Sequence, residues 1–353
     1  MDLVALVERI GEAPAAALFG LITGTVFGIA AQRSQFCLRA AVVEFARGSM
    51  GDKIAVWLLT FSTAVVWVQG AQMLGLIETA DARMMAVPGS WSGAIIGGLM
   101  FGAGMVLARG CSGRLLVLAA TGNLRSLVSG LIFAVVAQMS LSGMFSPIRD
   151  RLASLWITSG GRNMDLLATL GLDQAFGLIF GLALAVLALI VARRNAIGTA
   201  RLVFASGVGF AVALGWFLTY SLAQVAFDPL QIESATFTGP SAHTLMFFLD
   251  RNAVLEFDIG LVPGVFLGAF IAAAFAKELK FQGFETTSNM RQAMIGAALM
   301  GFGGMLAGGC AIGAGVTGGS IFAGTAWAAL TSFWIGGMAT DWLIFQRGAL
   351  ASA

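Results

Sequence analysis

Nine stretches of this chain are apolar enough, and long enough, to cross a lipid bilayer: 15–32, 54–77, 91–108, 124–145, 174–192, 202–225, 259–276, 292–308 and 322–341. About 20 such residues span a hydrocarbon core of about 30 Å. Only 11% of the residues are charged, against roughly 25% in a soluble domain, so a water-soluble fold would lack the polar surface to cover itself. Lipid offers no partners to exposed backbone, which leaves the helix as the economical way across for runs of this length. The sequence therefore predicts an all-α integral membrane protein, one transmembrane domain over 1–353 with about nine spans. Fourteen of its 20 Lys and Arg residues fall on alternate loops, among them Arg33, Arg39, Arg47, Lys53, Arg193, Arg194 and Arg347. The longest loop on the other side, 226–258, is acidic. The excess of basic residues on cytoplasmic loops then predicts an outside N-terminus and a cytoplasmic C-terminus.

A repeat is visible when two glycine-rich segments are laid together. Gly97 to Cys111 matches Gly296 to Cys310 without gaps, and seven of the fifteen positions are identical, four of them glycine. The first segment ends the third window and the second ends the eighth. Five spans separate them, so the copies must cross the bilayer in opposite directions. Opposed copies of one unit are the inverted-repeat plan of many transporters. It predicts a first half over 15–172 and a second over 173–341. A weaker echo joins Gly24-Thr-Val-Phe27 to Gly207-Val-Gly-Phe210 at the same five-span offset.

Three segments break the apolar pattern where a span should end, and each holds one of the chain's three cysteines. They are Gln32 to Arg39 around Cys37, Ala108 to Arg114 around Cys111, and Gly308 to Gly319 around Cys310. Glycine releases the backbone from helical geometry, and non-helical backbone at membrane depth is tolerated only inside protein or against a wet cavity. Re-entrant Gly-rich loops followed by short broken helices are the expectation. A helix starting after such a loop turns its free N–H groups toward the break and favours an anion there. A thiol is soft, polarizable and a weak hydrogen-bonding group, able to hold a sulfur-bearing anion loosely enough to release it. The candidate substrate-binding residues are Cys37, Cys111, Cys310, Arg109, Gly110, Ser112, Gly308, Gly309 and Asn123. Arg109 adds a cation beside a break, though a positive-inside loop explains it equally. Asn123 either lines the same loop or caps the next helix.

Several function classes are disfavoured. Three cysteines without a Cys-x-x-Cys pair, and a single histidine, His243, give no disulfide framework and no metal site. No phosphate-binding loop is present, nor a haem or quinone signature, so no cofactor is expected. Nothing resembles a basic tail, so nucleic acid is not a partner; the bilayer is. No window contains Asp or Glu until Asp341, which argues against the usual intramembrane proton relays and cation sites.

The segments Gly24-x-x-x-Gly28…Arg33-Ser-Gln-Phe-Cys37, Phe101-Gly-x-Gly-Met-Val-Leu-Ala-x-Gly-Cys111 with Gly122-Asn-Leu-Arg125, and Ala307-Gly-Gly-Cys310-x-Ile-Gly-x-Gly315 resemble the YeeE/YedE family of bacterial inner-membrane permeases. The resemblance runs over about residues 15–340. It implies uptake of thiosulfate, or a related sulfur or selenium species, through an hourglass of two inverted halves, relayed by Cys37, Cys111 and Cys310. It also implies a small cytosolic sulfur-carrier protein as partner. Arg109 departs from the pattern, standing where many members have glycine. Two other readings of the same residues are a channel for another small solute or anion, and a membrane thiol or sulfur-transfer protein. Transport without catalysis is the expectation.

Overall fold

A computed structural model describes residues 3–251, 253–283 and 287–346; Arg347 and the two ends of the 1–353 domain lie outside them. Among the described residues helices are the main regular elements, joined by isolated bridges. In chain order they are α1 (Leu3–Ile10), α2 (Glu12–Ser34), α3 (Leu38–Ala46), α4 (Asp52–Met73), α5 (Arg83–Ala86), α6 (Trp91–Leu107), α7 (Ser112–Ala120) and α8 (Leu124–Leu141). Then come α9 (Ser146–Ala153), α10 (Leu166–Thr169), α11 (Gln174–Arg194), α12 (Thr199–Ala223), α13 (Thr238–Leu249), α14 (Phe257–Phe275) and α15 (Thr287–Leu306). A π-helical segment, Ala311–Gly318, precedes the last long helix, α16 (Gly324–Asp341).

Each predicted window is occupied by one long helix, and eight apolar stretches built on these helices are long enough to cross a membrane. The ninth, α16, is more polar, with Thr325, Thr331, Ser332, Thr340 and Asp341 along it, and Ser332 and Asp341 are buried against neighbours. Two windows overshoot by four residues. The first of these, 54–77, continues past α4, which ends where Gly75 turns left-handed at φ 68° and its N–H bonds back to Gln72 O. The other, 124–145, continues past α8, which stops at Ser142 before Gly143. Apolarity persists there after the helix has been capped. By contrast α11 meets lipid, with Ile179, Leu182, Val186 and Ile190 exposed.

Glycine sets how closely the inner helices approach. On α2, a Cβ at Gly20, Gly24 or Gly28 would lie 2.0–2.4 Å from the carbonyl oxygens of Phe257, Leu261 and Val265. On α14, Gly260, Gly264 and Gly268 meet Ala17 O, Leu21 O and Thr25 O in the same way, at 1.8–2.4 Å. Two spaced glycine rows thus bring two backbones together, as small residues do in membrane helix pairs.

The α6–α15 contact carries further information. A Cβ on Gly97 would meet Gly303 O at 2.5 Å and one on Gly104 would meet Gly296 O at 2.5 Å. The reverse contacts are Gly303 to Gly97 O at 2.7 Å and Gly296 to Gly104 O at 2.6 Å. The repeat alignment pairs 97 with 296 and 104 with 303, so it exchanges these two contacts. Gly102 packs on Phe333 O of α16, while its aligned partner Gly301 packs on Phe133 O of α8. Such reciprocity is what a two-fold relation requires of a self-complementary contact.

Asp341, the carboxylate inside the ninth window, is fully buried and bound by Arg47 through two contacts, Nε to Oδ2 at 3.2 Å and Nη2 to Oδ1 at 3.1 Å. A two-pronged guanidinium is the partner that best compensates a buried carboxylate.

Candidate functional site

Each cysteine follows the same local design. Helices α2, α6 and α15 all end in a left-handed residue: Gln35 at φ 56°, Arg109 at φ 58° and Gly308 at φ 78°. In all three the left-handed residue and the one after it close a paired cap. The bonds are Gln35 N to Gln32 O and Phe36 N to Ala31 O, Arg109 N to Val106 O and Gly110 N to Met105 O, and Gly308 N to Met305 O and Gly309 N to Gly304 O. This is the Schellman arrangement, which satisfies carbonyls a helix end leaves open. The cysteine comes two residues after the left-handed one and is extended or nearly so. Cys37, Cys111 and Cys310 stand as N-cap residues of α3, α7 and the π-helical segment. The predicted broken helices are present, and a cysteine opens each.

Cys37 and Cys111 come together, near enough for each thiol to act on the other. The backbone N–H groups of Leu38 and Arg114 lie toward the Cys111 sulfur, and those of Cys111 and Ala40 toward the Cys37 sulfur, but neither thiol caps its helix with a hydrogen bond. Arg114 and Arg39 are near enough to act on Cys37 electrostatically. We call this the first neck. Cys310 forms the second: its Sγ accepts from Phe237 N at 3.3 Å and Gly313 N at 3.4 Å, with Thr236 Oγ1 at 4.0 Å. Cys111 and Cys310 are buried and Cys37 half-buried, all three as free thiols.

The two necks share one register. Leu38 and Arg114 surround Cys111 as Phe237 and Gly313 surround Cys310, each pair displaced by the same 199 positions that separate the cysteines. At that displacement Cys37 falls on Thr236, so the second half holds a hydroxyl where the first holds a thiol. The necks also abut. A Cβ on Gly113 would lie 3.3 Å from the Phe237 ring and 3.7 Å from Ile312.

The remaining candidates fall into two groups. Gly110, Ser112, Gly308 and Gly309 flank the thiols, and Ser112 Oγ is buried with no hydrogen-bond partner. Arg109 bonds Asn289 Oδ1 through Nη2 at 3.1 Å. Asn123 caps α8, its Oδ1 accepting Ser126 N at 2.9 Å, and its amide reaches Gln282. Its side chain is committed to that turn. Beside the second neck lies a cavity of about 280 Å³ walled by Arg83, Trp216, Glu233, Thr236, Ala314 and Thr317. Apart from Cys310, none of the polar groups at this neck carries a motif; Thr236, Trp216, Arg83 and Glu233 come from segments that read as loop or ordinary span.

Over residues 33–339 the chain matches the family described as Sulphur transport. Two relatives share the name Thiosulfate transporter TsuA. That of Escherichia coli (strain K12) is 25% identical over 347 residues, 94% of this chain and 95% of the relative. That of Spirochaeta thermophila (strain ATCC 700085 / DSM 6578 / Z-1203) is 28% identical over 349 residues, 93% of this chain and 99% of the relative.

Proposed function

We propose that this chain, which belongs to the Sulphur transport family, moves thiosulfate across the bacterial inner membrane by way of the two thiol necks. The observation that carries the reading is the repeated neck itself: buried sulfur atoms at Cys111 and Cys310, each the N-cap of a short helical element that follows a left-handed helix end, with Cys310 held by two backbone N–H groups. Such a site offers a divalent anion weak donors, a favourable helix terminus and a polarizable surface. The relatives named for thiosulfate transport, matched along nearly their whole length, support that substrate.

In this reading the two inverted halves, 15–172 and 173–341, each supply one neck. The N-terminus is outside and the C-terminus cytoplasmic, as the basic loops favour. Thiosulfate meets Cys310 first, passes Cys111 and leaves beside Cys37, with the sulfur atoms acting as successive resting points and no covalent change. Arg39 and Arg114 draw the anion toward the cytoplasmic mouth. Inward movement of a dianion against an inside-negative potential opposes roughly 2.3 kcal/mol per charge per 100 mV, about 4.6 kcal/mol in all. A small cytosolic sulfur-carrier protein that consumes the anion at the exit would supply that drive.

The test is uptake of labelled thiosulfate by vesicles containing the purified protein, wild type against Cys111→Ala. Wild-type uptake with loss of at least tenfold in the variant is expected, while the variant stays inserted and monodisperse. Equal uptake by both proteins sinks the relay. A sulfur atom from substrate found as a persulfide on the protein would favour sulfur transfer instead.

A further inference from the structure

The apolar windows leave out two carboxylates that the fold buries beside the second neck. Glu233, in the connection between α12 and α13, is 12% exposed at its side chain and pairs with Arg83 Nη1 at 3.3 Å. Asp258, in the first turn of α14, is 1% exposed. One of its oxygens binds His243 Nδ1 of α13 at 2.9 Å, and the other, Oδ1, is buried with no partner. The charged groups facing Glu233 are Arg83 of α5, Asp258 of α14 and Glu256, the residue that precedes α14. Glu12 of α2 and Asp228 line the same cavity as Glu233, and His243 stands behind Asp258. Burial, reinforced by the negative charge of Asp258 and opposed by Arg83, pushes the Glu233 carboxyl well above the usual carboxylate range.

Glu233 also belongs to two cavities. On one side is the neck cavity of about 280 Å³, which it lines together with Arg83 and Trp216. On the other is a cavity of about 550 Å³ lined by Glu12, Asp228, Glu233 and Glu256. The acidic cavity is a source of protons to the carboxyl; the neck cavity holds donors. Trp216 is fully buried, and its indole N–H has no protein partner. A buried donor left open beside an arginine is arranged for an acceptor the chain itself does not provide.

We propose that Arg83 and Glu233 form a proton-operated latch on the neck cavity: a proton taken up by Glu233 releases Arg83, which with the indole N–H of Trp216 then holds an anion, so that one proton binds with each anion captured. With Glu233 ionised, the guanidinium is occupied by it, and a second anion would face Glu233 and Asp258 at close range. With Glu233 neutral, the same guanidinium is free and the repulsion falls. Proton and anion therefore favour each other's binding, as linkage requires of any such pair. The proton goes from solvent to the Glu233 carboxylate; no other bond is made or broken. This rests on the transport reading above and assigns a capture site to it.

Isothermal titration of the purified full-length protein with thiosulfate, from mildly acidic to mildly alkaline pH and in buffers of different ionisation heat, tests the latch. The dissociation constant should rise by up to about tenfold per pH unit where Glu233 loses its proton, with close to one proton taken up per anion. Glu233→Gln should bind tightly at every pH with no proton uptake. Arg83→Gln should bind at least tenfold more weakly, and Arg83→Lys should recover part of the loss; thermal unfolding checks that each variant is folded. An affinity that ignores pH in the wild type, or a pH dependence that survives Glu233→Gln, overturns the latch. Vesicle uptake separates this from the parent reading. Uptake with pH-independent binding rejects the latch alone, whereas proton-linked binding without any uptake rejects transport and leaves the latch standing.

Discussion

The backbone N–H of Phe237 donates to Cys310 Sγ at 3.3 Å, while its ring stands 4.9 Å from that of Phe27 on α2 and closes over Gly113 of α7. One residue thus holds the thiol of the second neck and covers the helix that begins at the first. Leu38 holds the matching place at Cys111 with an aliphatic side chain.

Phe237 should therefore govern the width of the path. Phe237→Ala keeps the N–H bond to Cys310 and removes a fully buried ring, which costs about 3–5 kcal/mol of stability. The remaining folded protein should pass thiosulfate with reduced discrimination against sulfate, read as competition in the uptake assay. Gly113→Leu drives a side chain into the ring and should abolish uptake with a smaller change in melting temperature.

Thr236 occupies the register position of Cys37. Thr236→Cys rebuilds the thiol pair of the first neck at the second, at little packing cost because the two side chains are close in size. The variant should fold and transport at a rate within about fivefold of wild type, since the outcome is set by a contact of about 1 kcal/mol. Cys310→Ala in that background should retain partial uptake, whereas Cys310→Ala alone should lose at least tenfold.

Arg109 carries a left-handed backbone at φ 58°, matched by Gly308 in the other half. A non-glycine residue there costs roughly 1 kcal/mol, close to the worth of the hydrogen bond to Asn289. Arg109→Gly should thus leave the melting temperature nearly unchanged. The KM for uptake should rise several-fold if the guanidinium strengthens anion binding near the first neck; a large loss of stability with unchanged KM would mean that the residue is a structural tie instead.

His243 adds a pH dependence to stability. Its bond to Asp258 raises the imidazole above its ordinary value, with burial opposing and the charge of Glu256 adding to the rise. A folded value above the unfolded one means that the stabilisation is fully present below about pH 6.5. It is lost as pH rises through the raised value. The melting temperature in detergent should fall across the neutral to alkaline range, and His243→Gln should flatten that fall.

The spans were legible because apolarity and length are enough to define a membrane helix, and the thiol segments because glycine interrupts an apolar run only for a reason. Sequence spacing also placed Cys37, Cys111 and Cys310 at broken helices. Thr236 was not legible: its neighbours in 224–237 form an irregular connection without glycine punctuation, and threonine is an ordinary residue there. Glu233 and Arg83 lie 150 positions apart and Asp258 just before the seventh window, so only the folded chain brings them together. The windows contain no carboxylate before Asp341, but the helices run further than the windows: Glu12, Asp52 and the buried Asp258 lie in the first turns of α2, α4 and α14, and the windows miss them. Arg109 reads as a loop cation in sequence, while its left-handed backbone is a property of the helix end before it.

The interlocked glycines of α6 and α15 constrain how anything passes through. With each backbone seated against the other's carbonyls, a slip of one residue would bring Ala103 or Met105 to the place of Gly104, and Phe302 to that of Gly303, against main-chain oxygen. The pair is seated like a keel, and on the two-halves reading proposed above it resists rocking of one half against the other along this seam. What can yield during a passage is small: the single turns that start at each cysteine, and the phenyl ring between them.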